Sequence, residues 1–261
     1  MPEGDAVRRT ARALDAALAG RQLIRADLRV PRHATTDLSA MTVLQTAVAG
    51  KHLLTRLTGR SGPITLHSHL RMDGRWVTGA AGPRPIAGPH WQIRAWLMTE
   101  ETQAVGVRLA MVEALPTAQE DRIVGHLGPD VLGADFDENA AARRVRAEGE
   151  RPLAEALLDQ RVISGLGTIW TAETAFRAGI SPWTPAAAAG ELSAALEGTR
   201  AAMQASLVAR GRADRPKLWV YGNIGQPCRR CGTPIRMGRA GTPPTDRVAF
   251  WCPQCQPGPQ G

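Results

Sequence analysis

All four cysteines of the chain fall in two short runs, PCRRCG and WCPQCQ. Cys228, Cys231, Cys252 and Cys255 thereby form two C-x2-C knuckles separated by twenty residues. Two such knuckles can bring four thiolates to the corners of a tetrahedron, which is the donor set of a closed structural zinc site. Disulfides require an oxidising compartment, and a thioredoxin-like pair requires an α/β unit that the flanking residues do not supply. One structural Zn2+ is therefore expected, stapling a β-hairpin too small for a core of its own. At its other end the chain opens MPEGD. Removal of Met1 would expose the secondary amine of Pro2, with an α-amino pKa of about 8, beside the carboxylate of Glu3. That pairs a nucleophile with an acid/base group, although most chain termini fray and do nothing.

Other residues are suggestive only by position. Lys51 in AGKHLL stands at a strand start, where a lysine is by default solvated, and His69 in HSHLRMDG reads as a hydrogen-bonded histidine at a strand end. Met72 suits a loop or a core. Gly165 and Gly167 precede a helix for which Thr168 is the expected N-cap, and the unpaired N–H groups of such a helix start can hold a phosphate. Arg247 lies five residues before Cys252, on the strand leading back to the second knuckle.

The elements that would position these residues follow from periodicity. Val7, Ala11, Leu14 and Leu18 mark a helix from Asp5 to Ala19 that stops at Gly20. Strands are expected over Ile24–Val30, Leu53–Leu57, Ile64–Ser68, Trp91–Leu97 and Val105–Met111, an arrangement of short strands that suggests an antiparallel sandwich or barrel. After Leu115 the pattern turns helical: a helix within Pro116–Leu132, a polar stretch to Arg151, a helix-turn-helix through RVISGLGTIW, and a longer helix from Glu191 to Ala209.

With Lys+Arg 32 against Asp+Glu 24, the chain of 261 residues carries +8 and has a sequence pI near 10.5. Between Leu207 and Phe250 nine basic residues, Lys217 among them, face two acidic ones, so this segment holds +7 of that charge. Such a balance points to a polyanionic partner, and basicity alone does not separate nucleic acid from an acidic membrane surface. No run approaches the roughly 20 apolar residues of a membrane span, and no signal peptide is evident, so a cytoplasmic protein is expected.

Taken together and in order, MPEGD, AGKHLL, HSHLRMDG, LLDQRVISGLGTIW, WVYGNIGQPCRRCG and WCPQCQ resemble the formamidopyrimidine-DNA glycosylase and endonuclease VIII family over nearly the whole chain. MPEGD is similar to the endonuclease VIII branch. With HSHLRMDG and the four-cysteine finger, it resembles the actinobacterial second endonuclease VIII-like group. The resemblance implies an α+β multidomain fold: an N-terminal antiparallel β-sandwich with a leading helix at 1–115, a helical domain with a helix-two-turn-helix at 116–220, and a zinc-bound β-hairpin at 221–261.

It also implies a bifunctional DNA glycosylase and abasic-site lyase that removes oxidised bases, pyrimidines above all, in base excision repair. Pro2 would attack the sugar C1′ of a flipped-out nucleotide, and the resulting iminium would make C2′ acidic enough for β- and then δ-elimination. Glu3 would protonate the opening sugar ring, Lys51 would serve the first elimination and Arg247 the second. His69, Arg71, Met72, His126, Thr168 and Lys217 would contact DNA, with Met72 as an apolar wedge. Thr168 stands where the family has asparagine, and its shorter side chain with one donor implies a weaker phosphate contact. The expected partner is damaged DNA, duplex or single-stranded, bound by a monomer in the bacterial cytoplasm at the nucleoid. Two other readings compete: a catalytically weakened DNA-binding damage sensor, and a zinc-ribbon protein, which leaves the first five residues unexplained.

Overall fold

The stripe Val7, Ala11, Leu14 and Leu18 forms the buried face of α1 (Gly4–Leu18), and Gly20 follows in the left-handed conformation at φ 75° that ends the helix cleanly. The computed structural model describes residues 2–60, 62–211, 213–243 and 246–259, so Met1, on which exposure of the Pro2 amine turns, lies outside the described residues. The chain divides into two units, one of Pro2 with Ala6–His126 and the other of Glu3–Asp5 with Leu127–Gly261.

In the first unit the chain runs through β1 (Arg25–Leu28), β2 (Thr42–Ala49), β3 (His52–Thr58), β4 (Ile64–His69), β5 (Arg75–Ala80), β6 (Ile93–Met98), β7 (Thr102–Val107) and β8 (Met111–Pro116). These form two four-stranded antiparallel sheets, ordered β1-β6-β7-β5 and β2-β3-β4-β8. Leu53, Leu57 and Leu66 of one sheet and Leu28, Leu97 and Ala104 of the other share a core with the α1 stripe, which makes the unit a β-sandwich with a leading helix.

Several expectations change here. β2 and β5 were not expected from sequence. The apolar run Val105–Met111 is two strands, because Arg108 takes a left-handed φ of 50° and turns the chain between β7 and β8. Trp91 does not extend β6: it lies in a 3-10 turn at His90–Gln92 and is 71% exposed. The helix expected within Pro116–Leu132 reduces to the single turn α2 (Asp121–Val124).

The second unit is helical. The stretch before Arg151, which reads as merely polar, contains α3 (Glu138–Arg146). Its cap is Asp137, whose carboxylate accepts from the N–H groups of Asn139 and Ala140, and its buried face is Ala141, Ala142 and Val145. Next come α4 (Leu153–Leu158), α5 (Thr168–Ala178) and α6 (Leu192–Val208), packed through Leu153, Leu157, Ile163, Leu166, Leu192, Leu196 and Met203. The chain ends in an antiparallel hairpin of β9 (Arg236–Ala240) and β10 (Arg247–Trp251). The hairpin borrows its core from α5, since Ile235, Phe250 and Cys252 cluster with Ala172 and Phe176. Among the described residues no helix is long and apolar enough to cross a membrane.

Candidate active site and metal centre

The start of α5 is capped by a residue from the far end of the chain. Gly167 is the N-cap in an extended conformation, and no side chain of its own segment caps it. The donors of the first turn are taken by Glu3 instead: its carboxylate accepts from the N–H of Gly167 at 3.0 Å, of Ile169 at 2.7 Å and of Trp170 at 3.2 Å. A carboxylate on these N–H groups satisfies orphan donors and sits at the positive end of the helix dipole. The glycines make room for it. Gly165 holds φ 96°, and a Cβ on Gly167 would lie 2.5 Å from the Glu3 carboxyl carbon. Thr168 is thus the first helical residue and half-buried, not the N-cap that the sequence suggests.

Arg247 opens β10 opposite Ala240, exposed, and donates to the carbonyl of Asp246 at 3.0 Å. It lines one small cavity together with Thr168, Thr171 and Leu158, so the hairpin brings the arginine to the N-terminal turn of α5. Lys217 is exposed and joins neither group.

The first unit assembles a different set. Gly50, at φ 57°, and Lys51 make the two-residue turn between β2 and β3. Lys51 is only 7% exposed, so the default of a solvated lysine does not hold. Beside it His52 faces His69 across the β3–β4 ladder. The His52 Nδ1 lies 2.9 Å from the His67 Nε2 and the two rings stack, while His69 and His126 approach His52 edge-on at 5.0 and 6.5 Å between centroids. Burial, and then the mutual repulsion of the clustered histidines on protonation, lowers the pKa of His52 and His69 to about 4 and that of His67 to about 3, with Lys51 adding to the effect at His52 and His69. All three are neutral near pH 7. His69 Nδ1 accepts from the N–H of Arg71 at 3.0 Å, which leaves Nε2 as the protonated nitrogen of the neutral ring.

Arg71 itself holds a left-handed φ of 48° at the turn between β4 and β5, where Gly74 closes back on the Leu70 carbonyl at 3.0 Å. Met72 stands at this tip, 66% exposed, as an apolar side chain aimed away from the core. An exposed methionine on a strained turn is a suitable shape for a wedge.

Sequence reasoning missed His52 and His67, although a histidine directly opposite His69 in register was the available signal. It also missed Glu173, fully buried on α5, whose carboxylate accepts from the N–H groups of Trp219, Val220 and Tyr221. This fastens the lead-in to the hairpin onto the helix, and Arg230 adds a cation–π contact, 4.4 Å over the Phe176 ring.

The thiols of Cys228, Cys231, Cys252 and Cys255 converge with all four sulfurs within 4.8 Å of one another. Two of the pairs lie at 3.9 Å (Cys228 and Cys255) and 3.4 Å (Cys231 and Cys252). A tetrahedral ion with Zn–S bonds of about 2.3 Å needs sulfurs about 3.8 Å apart, so the donor set fits a dication of this kind. Gly232, at φ 79°, lets the first knuckle fold so that its N–H reaches the Cys228 carbonyl at 2.8 Å.

Two protein-family models match the chain: the formamidopyrimidine-DNA glycosylase N-terminal domain over residues 1–111 and the formamidopyrimidine-DNA glycosylase H2TH domain over residues 127–213. The sequence is 47% identical to "Probable endonuclease 8 2" of Streptomyces coelicolor, covering 99% of this chain and 95% of that protein. It is 42% identical to "DNA-(apurinic or apyrimidinic site) lyase Nei2" of Mycolicibacterium smegmatis, covering 98% and 99%. The fold is similar to that of Lactococcus lactis Fpg, solved in complex with DNA containing an abasic site, with a TM-score of 0.81 at 23% identity over 98% of this chain and all of that one.

Proposed function

We propose a reaction for a chain that belongs to the formamidopyrimidine-DNA glycosylase family, in its endonuclease VIII-like branch. It is a DNA glycosylase and abasic-site lyase of base excision repair, with oxidised pyrimidines as its bases and damaged DNA as its partner. The observation that carries this reading is the seating of the Glu3 carboxylate, 2% exposed, on the N–H groups of Gly167, Ile169 and Trp170. A carboxylate fixed at the residue after Pro2 is what a nucleophile at Pro2 requires of its acid/base partner.

The roles proposed for single residues follow from this chemistry. The Pro2 nitrogen, freed of Met1, adds to C1′ of the damaged nucleotide while Glu3 delivers a proton to the ring oxygen, and the base departs. With the C1′–O4′ bond opened, the glycosidic bond broken and the amine proton passed to the departing base, the Pro2 nitrogen and C1′ are left as an iminium. Its electron sink lets C2′ lose a proton as the 3′ phosphate leaves, with Lys51 holding that phosphate. A second proton loss releases the 5′ phosphate, served by Arg247. His69, Arg71, Met72, His126, Thr168 and Lys217 contact the DNA, and neutral His69 donates a hydrogen bond without adding charge. The four cysteines would hold one Zn2+, which cross-links the two knuckles of the hairpin. In functional terms the chain is read as a catalytic module over 1–115, a DNA-binding helical module over 116–220 and a zinc finger over 221–261, acting as a monomer at the nucleoid.

A duplex with one oxidised pyrimidine and a 5′ label tests this activity. Base release with a strand product ending in a 3′ phosphate is expected. An intact strand after exposure to alkali would show that no base had been removed and would refute the glycosylase.

A further inference from the structure

The fifth residue of the chain is a carboxylate with no part in the reaction above. Asp5 is 7% exposed. Its Oδ1 accepts from the indole Nε1–H of Trp170 at 3.2 Å, and its Oδ2 accepts from the hydroxyl of Ser206, on α6, at 2.6 Å. Between it and Glu3, the Gly4 N–H donates to the Gly165 carbonyl at 2.9 Å. A Cβ on Gly4 would come within 3.1 Å of that carbonyl oxygen, so the approach is as close as a residue without a side chain allows. Three consecutive residues are thus fastened one after another to the same helix start. Trp170 takes part twice, through its main-chain N–H to Glu3 and through its indole to Asp5.

The energetics favour a built device over an incidental contact. A buried carboxyl group is costly unless it is hydrogen-bonded, and here each of the two Asp5 oxygens accepts one bond. An apolar residue at this helical position would bury more cheaply. What Asp5 supplies is direction: two donors from two different helices fix the azimuth of the segment that begins immediately after Pro2. A nucleophile on a frayed terminus loses rate because attack on C1′ needs a narrow range of distance and angle, and misplacement by about 1 Å can cost about 100-fold.

We infer that Asp5, held by Trp170 and Ser206, is a positioning residue that sets the aim of the Pro2 nitrogen and the Glu3 carboxyl. This inference rests on the reading of Pro2 as the nucleophile. Because the constraint acts on attack and not on the grip on DNA, its loss should slow iminium formation and leave affinity for DNA unchanged.

The test is single-turnover borohydride trapping on duplex DNA with an abasic site, run beside the dissociation constant for a duplex carrying a tetrahydrofuran abasic analogue. An adduct with the unmodified protein is the control: its absence refutes Pro2 chemistry itself and is distinguishable from failure of the inference. Asp5→Ala should trap at least about tenfold more slowly with affinity within about twofold of the parent. Asp5→Asn can accept from the indole and donate to Ser206, and should return the rate to within about threefold. Trp170→Phe, which removes one donor and keeps the ring and the main-chain N–H to Glu3, should slow trapping in the same direction, and it decides the matter if Asp5→Ala does not fold. Trapping by Asp5→Ala at the parental rate, a fall in rate and affinity together, or no recovery in Asp5→Asn would each overturn the inference.

Discussion

Glu3 Oε1 lies 2.7 Å from the backbone nitrogen of Ile169, across 166 positions of sequence. Under the proposed reaction the acid/base group and the cap of α5 are one side chain, which would couple chemistry to stability. Glu3→Gln keeps a carbonyl acceptor but turns an NH2 toward the remaining N–H donors. It should lower melting stability by about 1–2 kcal/mol and slow base release by about 10²–10⁴. Strand cleavage at a preformed abasic site, where no base has to leave, should fall far less. Thermal melting and parallel assays on the two substrates check this; equal losses on both would contradict the assigned role.

Gly167 gives a sterically sharper prediction. A methyl group there would lie 2.5 Å from the Glu3 carboxyl carbon. Gly167→Ala should expel that carboxylate from the helix start and destabilise the protein by about 1–3 kcal/mol, with base release lost alongside. An alanine variant that melts and reacts like the parent would mean that the carboxylate is not held there in solution.

The histidine group on β3 and β4 predicts a specific pH dependence. His52, His67 and His69 bind protons less readily when folded than in the unfolded chain, where their pKa is about 6.5. As pH falls the unfolded state takes up protons first, so stability is complete above about pH 6.5 and declines toward pH 4. Each group can contribute up to about 1.4 kcal/mol per pH unit within that window. Asp159, whose pKa is held to about 2 by Arg161, loses its contribution only at lower pH. Melting curves between pH 7.5 and 4.5 should slope downward for the parent and less steeply for His67→Gln. Parallel curves for the two proteins would remove this assignment.

How much of this was legible in the sequence depends on how local each feature is. The cysteine spacing, the α1 stripe and the glycine break before α5 are short-range patterns, and the structure has each where expected. The cap of α5 is not legible, because a threonine at the helix start is the ordinary solution and nothing near it names a glutamate 164 residues away. β2 escaped because its burial alternates imperfectly around an irregularity between Val43 and Gln45. α3 escaped because three arginines dominate a helix whose buried face is mainly alanine. Burial of Lys51 and the stacking of His52 on His67 are properties of strand register, which single-residue reasoning does not reach.

Removal of metal should act locally. The hairpin core is completed by Ala172 and Phe176, yet its tip is held by the four sulfurs. Strong chelation, or Cys252→Ser, should release about one equivalent of zinc and abolish DNA binding while the β-sandwich remains folded. Metal analysis with circular dichroism and a binding titration checks this, and full DNA affinity without metal would contradict it.

The most direct test of the central claim is to locate the covalent bond. The protein would be incubated with abasic-site DNA, reduced with borohydride and digested, and the peptide carrying the sugar identified by mass spectrometry. A single adduct on the Pro2 nitrogen is expected, absent when that nitrogen is blocked by an N-terminal extension. An adduct on Lys51, or one that persists in the extended protein, would contradict it.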